Sequence, residues 1–166
     1  MRCNPGIPAL MAVAAACATP DLAWSATATG NMNVKMTIQA ECKVQTATDM
    51  DFGTKGVLDA NTDQTSTISV QCTNSTPYNI GLSAGGGAGA TLAARRMTGP
   101  GAAVVNYSLY RDAARTQVWG TTVGTDTVAG TGNGAVQPVT VYGRVPAQST
   151  PVIGAYTDVV AITVTY

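Results

Sequence analysis

The feature that most constrains the fold is an alternation of apolar and polar residues with a period of two. Six stretches show it, with turn-forming Gly, Pro, Asn and Asp between them: 31–39, 66–72, 78–82, 105–109, 139–145 and 155–166. Such alternation places the apolar side chains on one face of a strand. Short strands separated by regular turn signals are typical of an antiparallel β-sandwich. Only residues 92–97 are compatible with a helical turn, so the sequence predicts a single all-β domain.

Charge and the absence of histidine narrow the range of functions. Nine Lys and Arg residues balance nine Asp and Glu residues, and the chain has no His. A neutral chain has no electrostatic attraction for nucleic acid or for an anionic membrane surface. Without His, the commonest general base and the commonest metal ligand are both missing. We therefore expect no enzymatic activity, no cofactor and no metal, and a structural or binding role is favoured.

The N-terminus has the pattern of a secretory signal peptide. Arg2 precedes an apolar run over residues 7–18, and small residues follow up to Ala28. The run is too short to span a bilayer, and no later stretch approaches the roughly 20 residues that a spanning helix needs. We expect cleavage after Ala28, with Ser25 and Ala26 as alternatives. Residues 1–28 are thus the predicted signal peptide, and the exported chain begins at residue 29.

Cleavage would leave two cysteines, Cys42 and Cys72. Two cysteines in an exported protein predict one disulfide, because only one pairing is possible. Closing a loop of this length would contribute about 3.6 kcal/mol of stability. A metal site is the alternative, but two thiols without His are a poor ligand set.

The two ends of the exported chain show a second unusual feature. Tyr166 ends the sequence directly after an apolar strand, and the cleanest alternating segment, 31–39, begins close to the cleavage site. A sandwich that lacks an edge strand has an apolar groove and unpaired backbone groups, which accept a strand from another chain. The alternation alone slightly favours the simpler alternative that residues 31–39 pair as an ordinary first strand. Both interpretations stay open on pattern alone.

A series of short motifs follows in order along the exported chain. They are Cys42, Asp51-Phe52-Gly53, Ile68-Ser69-Val70-Gln71-Cys72-Thr73, Pro77-Tyr78, Leu82-Ser83-Ala84-Gly85, Arg95-Arg96-Met97, Tyr107-Ser108-Leu109-Tyr110-Arg111-Asp112, Trp119-Gly120, Val141-Tyr142-Gly143-Arg144-Val145-Pro146 and Gly154-Ala155-Tyr156-Thr157-Asp158. As a set, this series resembles the spore coat protein U domain, which is shared with subunits of archaic, Csu-type chaperone–usher pili. The resemblance covers nearly all of residues 29–166.

This resemblance implies an incomplete immunoglobulin-like antiparallel β-sandwich, completed by a donor strand from a neighbouring subunit. Residues 29–39 would be the donor strand and residues 40–166 the incomplete sandwich. The implied partners are a periplasmic chaperone that lends a strand, an outer-membrane usher, and identical or related pilin subunits in a head-to-tail polymer. The implied location is the cell surface, reached through the periplasm, without direct insertion into a membrane.

Individual roles follow from the same resemblance. The implied donor positions are Met32, Val34, Met36 and Ile38; the strand that borders the acceptor groove and is held by the chaperone carries Val160, Ile162, Val164 and Tyr166; and the family disulfide joins Cys42 and Cys72. Two donor positions are Met, where branched aliphatic residues are more usual. Because Met adapts to irregular gaps, the fit is expected to survive this departure.

The resulting prediction is a structural pilin, the major shaft subunit of an archaic chaperone–usher pilus that serves surface adhesion and biofilm formation. Single-domain length favours the shaft, because a tip adhesin of this kind carries an additional domain. The alternatives are a minor adaptor subunit and a secreted spore- or cell-coat protein. The remaining motifs have simpler interpretations: we expect Asp51-Phe52-Gly53 to be a turn with Phe52 in the core, and Arg95-Arg96 to be solvated or paired surface charges.

Overall fold

The computed structural model describes residues 24–166. Residues 1–23, most of the predicted signal peptide, lie outside the described residues. This part of the chain contains eight strands, one 3₁₀ turn (Pro100–Ala102) and no α-helix. In chain order the strands are β1 (Cys42–Ala47), β2 (Thr62–Cys72), β3 (Pro77–Leu82), β4 (Arg95–Thr98), β5 (Val104–Tyr110), β6 (Val128–Thr131), β7 (Val136–Val145) and β8 (Ile162–Thr165).

The strands form two antiparallel sheets. The larger sheet has the order β1-β2-β7-β5-β4, and the smaller sheet has the order β6-β3-β8. The longest pairing joins β2 to β7, from Thr62 opposite Val145 to Gln71 opposite Val136. This architecture confirms the predicted all-β antiparallel fold.

The hydrophobic core contains the apolar residues of the alternating strands. The buried residues are Leu58, Ile68, Val70, Cys72, Tyr78, Ile80, Leu82, Val105, Tyr107, Leu109, Trp119, Val141 and Val145. Trp119 is completely buried, and its indole N–H donates to the carbonyl oxygen of Ile80 at 2.8 Å. Such a bond is the usual condition for burying an indole. The apolar residues at every second position of these strands are thus the ones that pack in the core.

The local structure predicted from the sequence differs from the fold at residues 92–97 and 155–166. Residues 92–97 do not form a helical turn, because Arg95–Thr98 form β4 and pair with β5. Tertiary pairing here overrides the helical preference of Leu and Ala. The predicted strand over residues 155–166 is confirmed only for Ile162–Thr165, since the preceding residues cross from one sheet towards the other.

Arg95 is not a surface charge, contrary to the sequence prediction. Its side chain is completely buried. The guanidinium donates to the carbonyl oxygens of Ser83 at 2.8 Å, Leu92 at 2.9 Å, Leu82 at 3.0 Å and Trp119 at 2.7 Å. Burial lowers the pKa of Arg95 from its ordinary value, because the charged form loses hydration. The four carbonyls replace that hydration. Through these bonds the guanidinium connects the end of β3, at Leu82 and Ser83, to the loop residues Leu92 and Trp119.

Candidate strand-acceptor groove

Two adjoining cavities lie beside the segment that leads into β8. One of about 560 Å³ lies between the two sheets, and one of about 650 Å³ lies between the larger sheet and the irregular segments 50–56 and 150–156. Both are lined by the same five residues where they meet: Met50, Asp51, Phe52, Met97 and Tyr156. We call the two cavities together the acceptor groove. It lies entirely within the compact unit Thr37–Tyr166. Phe52 is half-buried against the core, which agrees with its predicted place.

The floor of the acceptor groove is apolar, and its walls are irregular segments. In the 560 Å³ part the floor includes the core residues Ile68, Leu82, Tyr107, Leu109 and Val141. Residues 47–52 form one wall, and residues 156–160 with Ile162 form the other. An accessible apolar floor of this kind is unusual for a sandwich core, where side chains from the two sheets normally fill the space between them.

The backbone of β8 is paired on one side only. Its partner is β3, with Ile162 opposite Leu82 and Val164 opposite Ile80. The carbonyl oxygen of Ala161 accepts from the N–H of Ser83 at 3.0 Å. In an antiparallel pair every second residue faces the partner strand, so the backbone groups of Ala161, Thr163 and Thr165 point towards β3. The backbone groups of Ile162 and Val164 therefore point the other way. Within residues 24–166 no strand pairs with that edge, so its donors and acceptors are available to an added strand.

The predicted groove residues differ in their surroundings. Val160 and Ile162 line the groove and are half-buried. Val164 packs against the core, whereas Tyr166 is 58% exposed. The structure thus places Ile162 and Val164 on β8 and Val160 in the irregular segment just before it, and it leaves Tyr166 exposed after the end of β8. Their role in holding a donor strand remains a proposal.

The four predicted donor residues are exposed. The exposed fractions of the side chains are 84% for Met32, 84% for Val34, 87% for Met36 and 75% for Ile38. Residues 24–41 contain no strand, because β1 begins only at Cys42. The structure therefore does not contain the ordinary first strand that the alternation alone had slightly favoured. Four exposed apolar side chains at alternate positions are costly, since burying each would gain about 1.5–3 kcal/mol.

The disulfide lies at the beginning of β1. Cys42 and Cys72 are directly opposite each other in the β1–β2 pairing, and their sulfur atoms are bonded. The sequence predicted this pair. The bond joins the first residue of β1 to the last residue of β2, and so it fixes the chain four residues after Ile38.

Asp158 holds one wall of the acceptor groove, a role that the sequence did not indicate. Its carboxylate accepts from the hydroxyl of Tyr107 and from the N–H of Gly86, both at 2.7 Å. Next to it, Thr157 pairs with Thr98 of β4 through two backbone bonds. Burial, together with the bond to Asp158, raises the pKa of Tyr107, so its hydroxyl stays protonated and keeps donating. These bonds fix residues 157 and 158 of the wall, a few residues ahead of the point where β8 pairs with β3.

Metal and membrane features can be stated only for the described residues. Between residues 24 and 166, no three His, Cys, Asp or Glu side chains are grouped closely enough to hold a metal ion. The same part of the chain contains no helix of sufficient length and apolar character to cross a membrane.

Two antiparallel sheets, with an apolar groove beside the unpaired edge of the final strand β8, define an incomplete β-sandwich. The family model of the Spore Coat Protein U domain matches residues 28–163, and the chain belongs to this family. It is 33% identical to Protein U of Myxococcus xanthus over an alignment of 158 residues. This alignment covers 87% of this chain and 88% of that protein.

A solved structure shares the fold at much lower sequence identity. It is the CsuC–CsuE chaperone–tip adhesion subunit pre-assembly complex from archaic chaperone–usher Csu pili of Acinetobacter baumannii. One of its chains superposes with a TM-score of 0.59 at 18% identity, covering 78% of this chain. This chain spans 41% of the length of that chain. The likeness supports the immunoglobulin-like class of the sandwich.

Proposed function

We propose that this protein is a structural pilin subunit of an archaic chaperone–usher pilus and that it polymerises by donor-strand exchange. In this account residues 29–39 of one copy occupy the acceptor groove of the next copy. The observation that supports the proposal best is the coexistence of two complementary features in one chain. One is an apolar groove beside the unpaired edge of β8, and the other is an exposed alternating segment that β1 does not include.

The energetics favour this pairing. Met32, Val34, Met36 and Ile38 would each gain about 1.5–3 kcal/mol on burial. Backbone bonds to the edge that carries Ile162 and Val164 would add about 0.5–1.5 kcal/mol each. Because the donor segment and the groove are different surfaces, the contact is heterologous and does not close, which produces a fibre. The role is structural and needs no catalysis.

The same groove requires a partner before assembly. An open apolar floor and an unpaired edge expose the subunit to aggregation, so we propose that a periplasmic chaperone covers them and that an outer-membrane usher exchanges the chaperone for the next subunit. The related fold in a chaperone–subunit pre-assembly complex of Acinetobacter baumannii supports this proposal. The fibre would then lie on the cell surface.

Within such a pilus we propose the role of major shaft subunit, with surface adhesion and biofilm formation as its purpose. One groove and one donor segment per copy are what a repeating shaft needs. A minor adaptor subunit would have the same two features, and the abundance of the subunit in purified fibres separates the two roles.

A secreted coat protein is the second candidate, and the 33% identity to Protein U of Myxococcus xanthus favours it. A coat protein of this fold could use the same groove to assemble in a layer. Immunogold labelling of intact cells distinguishes the candidates, because pili give labelled filaments and a coat gives a continuous labelled surface.

Expression of residues 29–166 in the periplasm, with and without the cognate chaperone, tests the proposal. Without the chaperone we expect ladders of polymers that resist SDS at room temperature and collapse to monomer on boiling. With the chaperone we expect a soluble one-to-one complex. A variant that lacks residues 29–38 should still bind the chaperone but form no ladder. Ladders from this deletion variant would contradict donor-strand exchange.

A further inference from the structure

The chain immediately after the predicted donor segment is held on the body of the domain by Thr73. The Thr73 hydroxyl accepts from the N–H of Glu41 at 3.0 Å, and it lies 3.1 Å from the carbonyl oxygen of Gln39 and 3.2 Å from that of Glu41. The N–H of Thr73 also donates to the carbonyl of Glu41 at 2.9 Å. A single residue after β2 therefore contacts backbone groups on both sides of Ala40.

The hydroxyl of Thr73 makes a contact that its backbone does not make. A hydroxyl carries one proton and two lone pairs, so it can accept from Glu41 while its proton is shared between the two carbonyls. The backbone bond from Thr73 to Glu41 would persist without the hydroxyl. The contact with Gln39 would not, because only the side chain makes it. The hydroxyl thus specifically holds the residue that follows Ile38.

Successive anchors leave no free linker between the donor segment and the sandwich. Cys42 is fixed by its disulfide to Cys72, Glu41 by the backbone bond to Thr73, and Gln39 by the Thr73 hydroxyl. Ala40 is the only residue between Cys42 and Ile38 without such an anchor. A segment attached in this way leaves the domain from a fixed point.

We propose that Thr73 is a positioning residue that sets the angle between successive subunits of the fibre. The proposal rests on the proposed function, because it takes the donor segment as far as Ile38 to be seated in the groove of a neighbouring copy. Residues 39–41 are then the whole junction between two rigid bodies. Holding Gln39 limits the range of angles that two successive subunits can adopt at this junction. Without the hydroxyl, residues 39 and 40 are released, and their extended length is about 7 Å.

Two variants of Thr73 separate the hydroxyl from the rest of the side chain. Thr73→Val keeps the size and removes the hydroxyl, whereas Thr73→Ser keeps the hydroxyl. The persistence length of negatively stained fibres is measured alongside the heat resistance of the SDS ladders. For Thr73→Val we expect a persistence length reduced about twofold or more, because a flexible junction replaces a held one. Ladder resistance should be unchanged, and Thr73→Ser should match the wild type.

Equal persistence lengths for the wild type and Thr73→Val would overturn the proposal, and so would an equal loss in Thr73→Ser. A wild-type chain that forms no ladder would instead overturn the proposed function. Hydrogen exchange at the Glu41 amide, measured in the chaperone complex, tests the anchor without fibres. We expect faster exchange in Thr73→Val than in Thr73→Ser, and equal rates would contradict the anchor. Should Thr73→Val fail to fold, Thr73→Ala serves in both measurements.

Discussion

Val34→Asp is expected to abolish the polymer while leaving the chaperone complex intact. The substitution places a carboxylate in the middle of the donor segment, where it would face the apolar floor of the groove. Burying an unpaired charge there costs about 3–5 kcal/mol, which lowers the affinity of one subunit for the next by more than about 100-fold. In the proposed function the chaperone would cover the groove with its own strand, so its complex should not depend on Val34. SDS ladders and co-purification with the chaperone measure the two effects.

A matched control lies one residue away. Asn33→Asp introduces the same carboxylate, but in an alternating strand Asn33 faces away from the groove. We expect this variant to polymerise as the wild type does. Equal fibre yield from Val34→Asp and Asn33→Asp would show that residues 31–39 do not insert with the register proposed for them.

Arg95→Met is expected to cause a large loss of stability, because it removes a buried guanidinium that holds four backbone carbonyls. Met fills much of the volume but leaves the carbonyls of Ser83, Leu92, Leu82 and Trp119 without their donor. Unpaired buried carbonyls cost about 1–3 kcal/mol each before relaxation, and we expect a net loss of about 3–4 kcal/mol. Because residues 29–166 are expected to polymerise, urea unfolding is measured on the variant that lacks residues 29–38, with a peptide of residues 29–39 in excess, and it is followed by tryptophan fluorescence.

The neighbouring arginine provides the control for this prediction. Arg96 is only half-buried, and its side chain makes one hydrogen bond, from its Nη1 to the carbonyl of Ala88 at 2.9 Å. We expect Arg96→Met to cost no more than about 1 kcal/mol. Similar losses for Arg95→Met and Arg96→Met would contradict the structural role assigned to the buried guanidinium.

Strands whose pairing follows local alternation could be predicted from the sequence, and strands set by tertiary contacts could not. The apolar residues recur at every second position in β3, in β5, in residues 66–72 of β2 and in residues 139–145 of β7, so the pattern alone locates these stretches. β4 has only four residues and contains a buried Arg95, which no alternation of apolar residues reveals. The apolar pattern before β8 is real, but Asp158 and Thr157 hold that stretch between the two sheets.

The candidate site was predictable in part for the same reason. The alternation together with the family resemblance indicated β8 and the alternating segment 31–39, whose roles as groove strand and donor segment are proposals. The bonds that shape the site join residues far apart in sequence, as between Tyr107 and Asp158 or between Gln39 and Thr73. The polar side chains in these bonds are common in turns and loops, so their long-range partners become visible only in the folded chain.

The most direct test of strand complementation is the binding of a synthetic peptide of residues 29–39 to a subunit that lacks residues 29–38. We predict one-to-one binding and a melting temperature that rises with peptide concentration, because a ligand of the folded state stabilises it by mass action. A peptide carrying Val34→Asp should do neither. A deletion variant that is stable and monomeric on its own, and whose melting temperature the wild-type peptide leaves unchanged, would contradict the account.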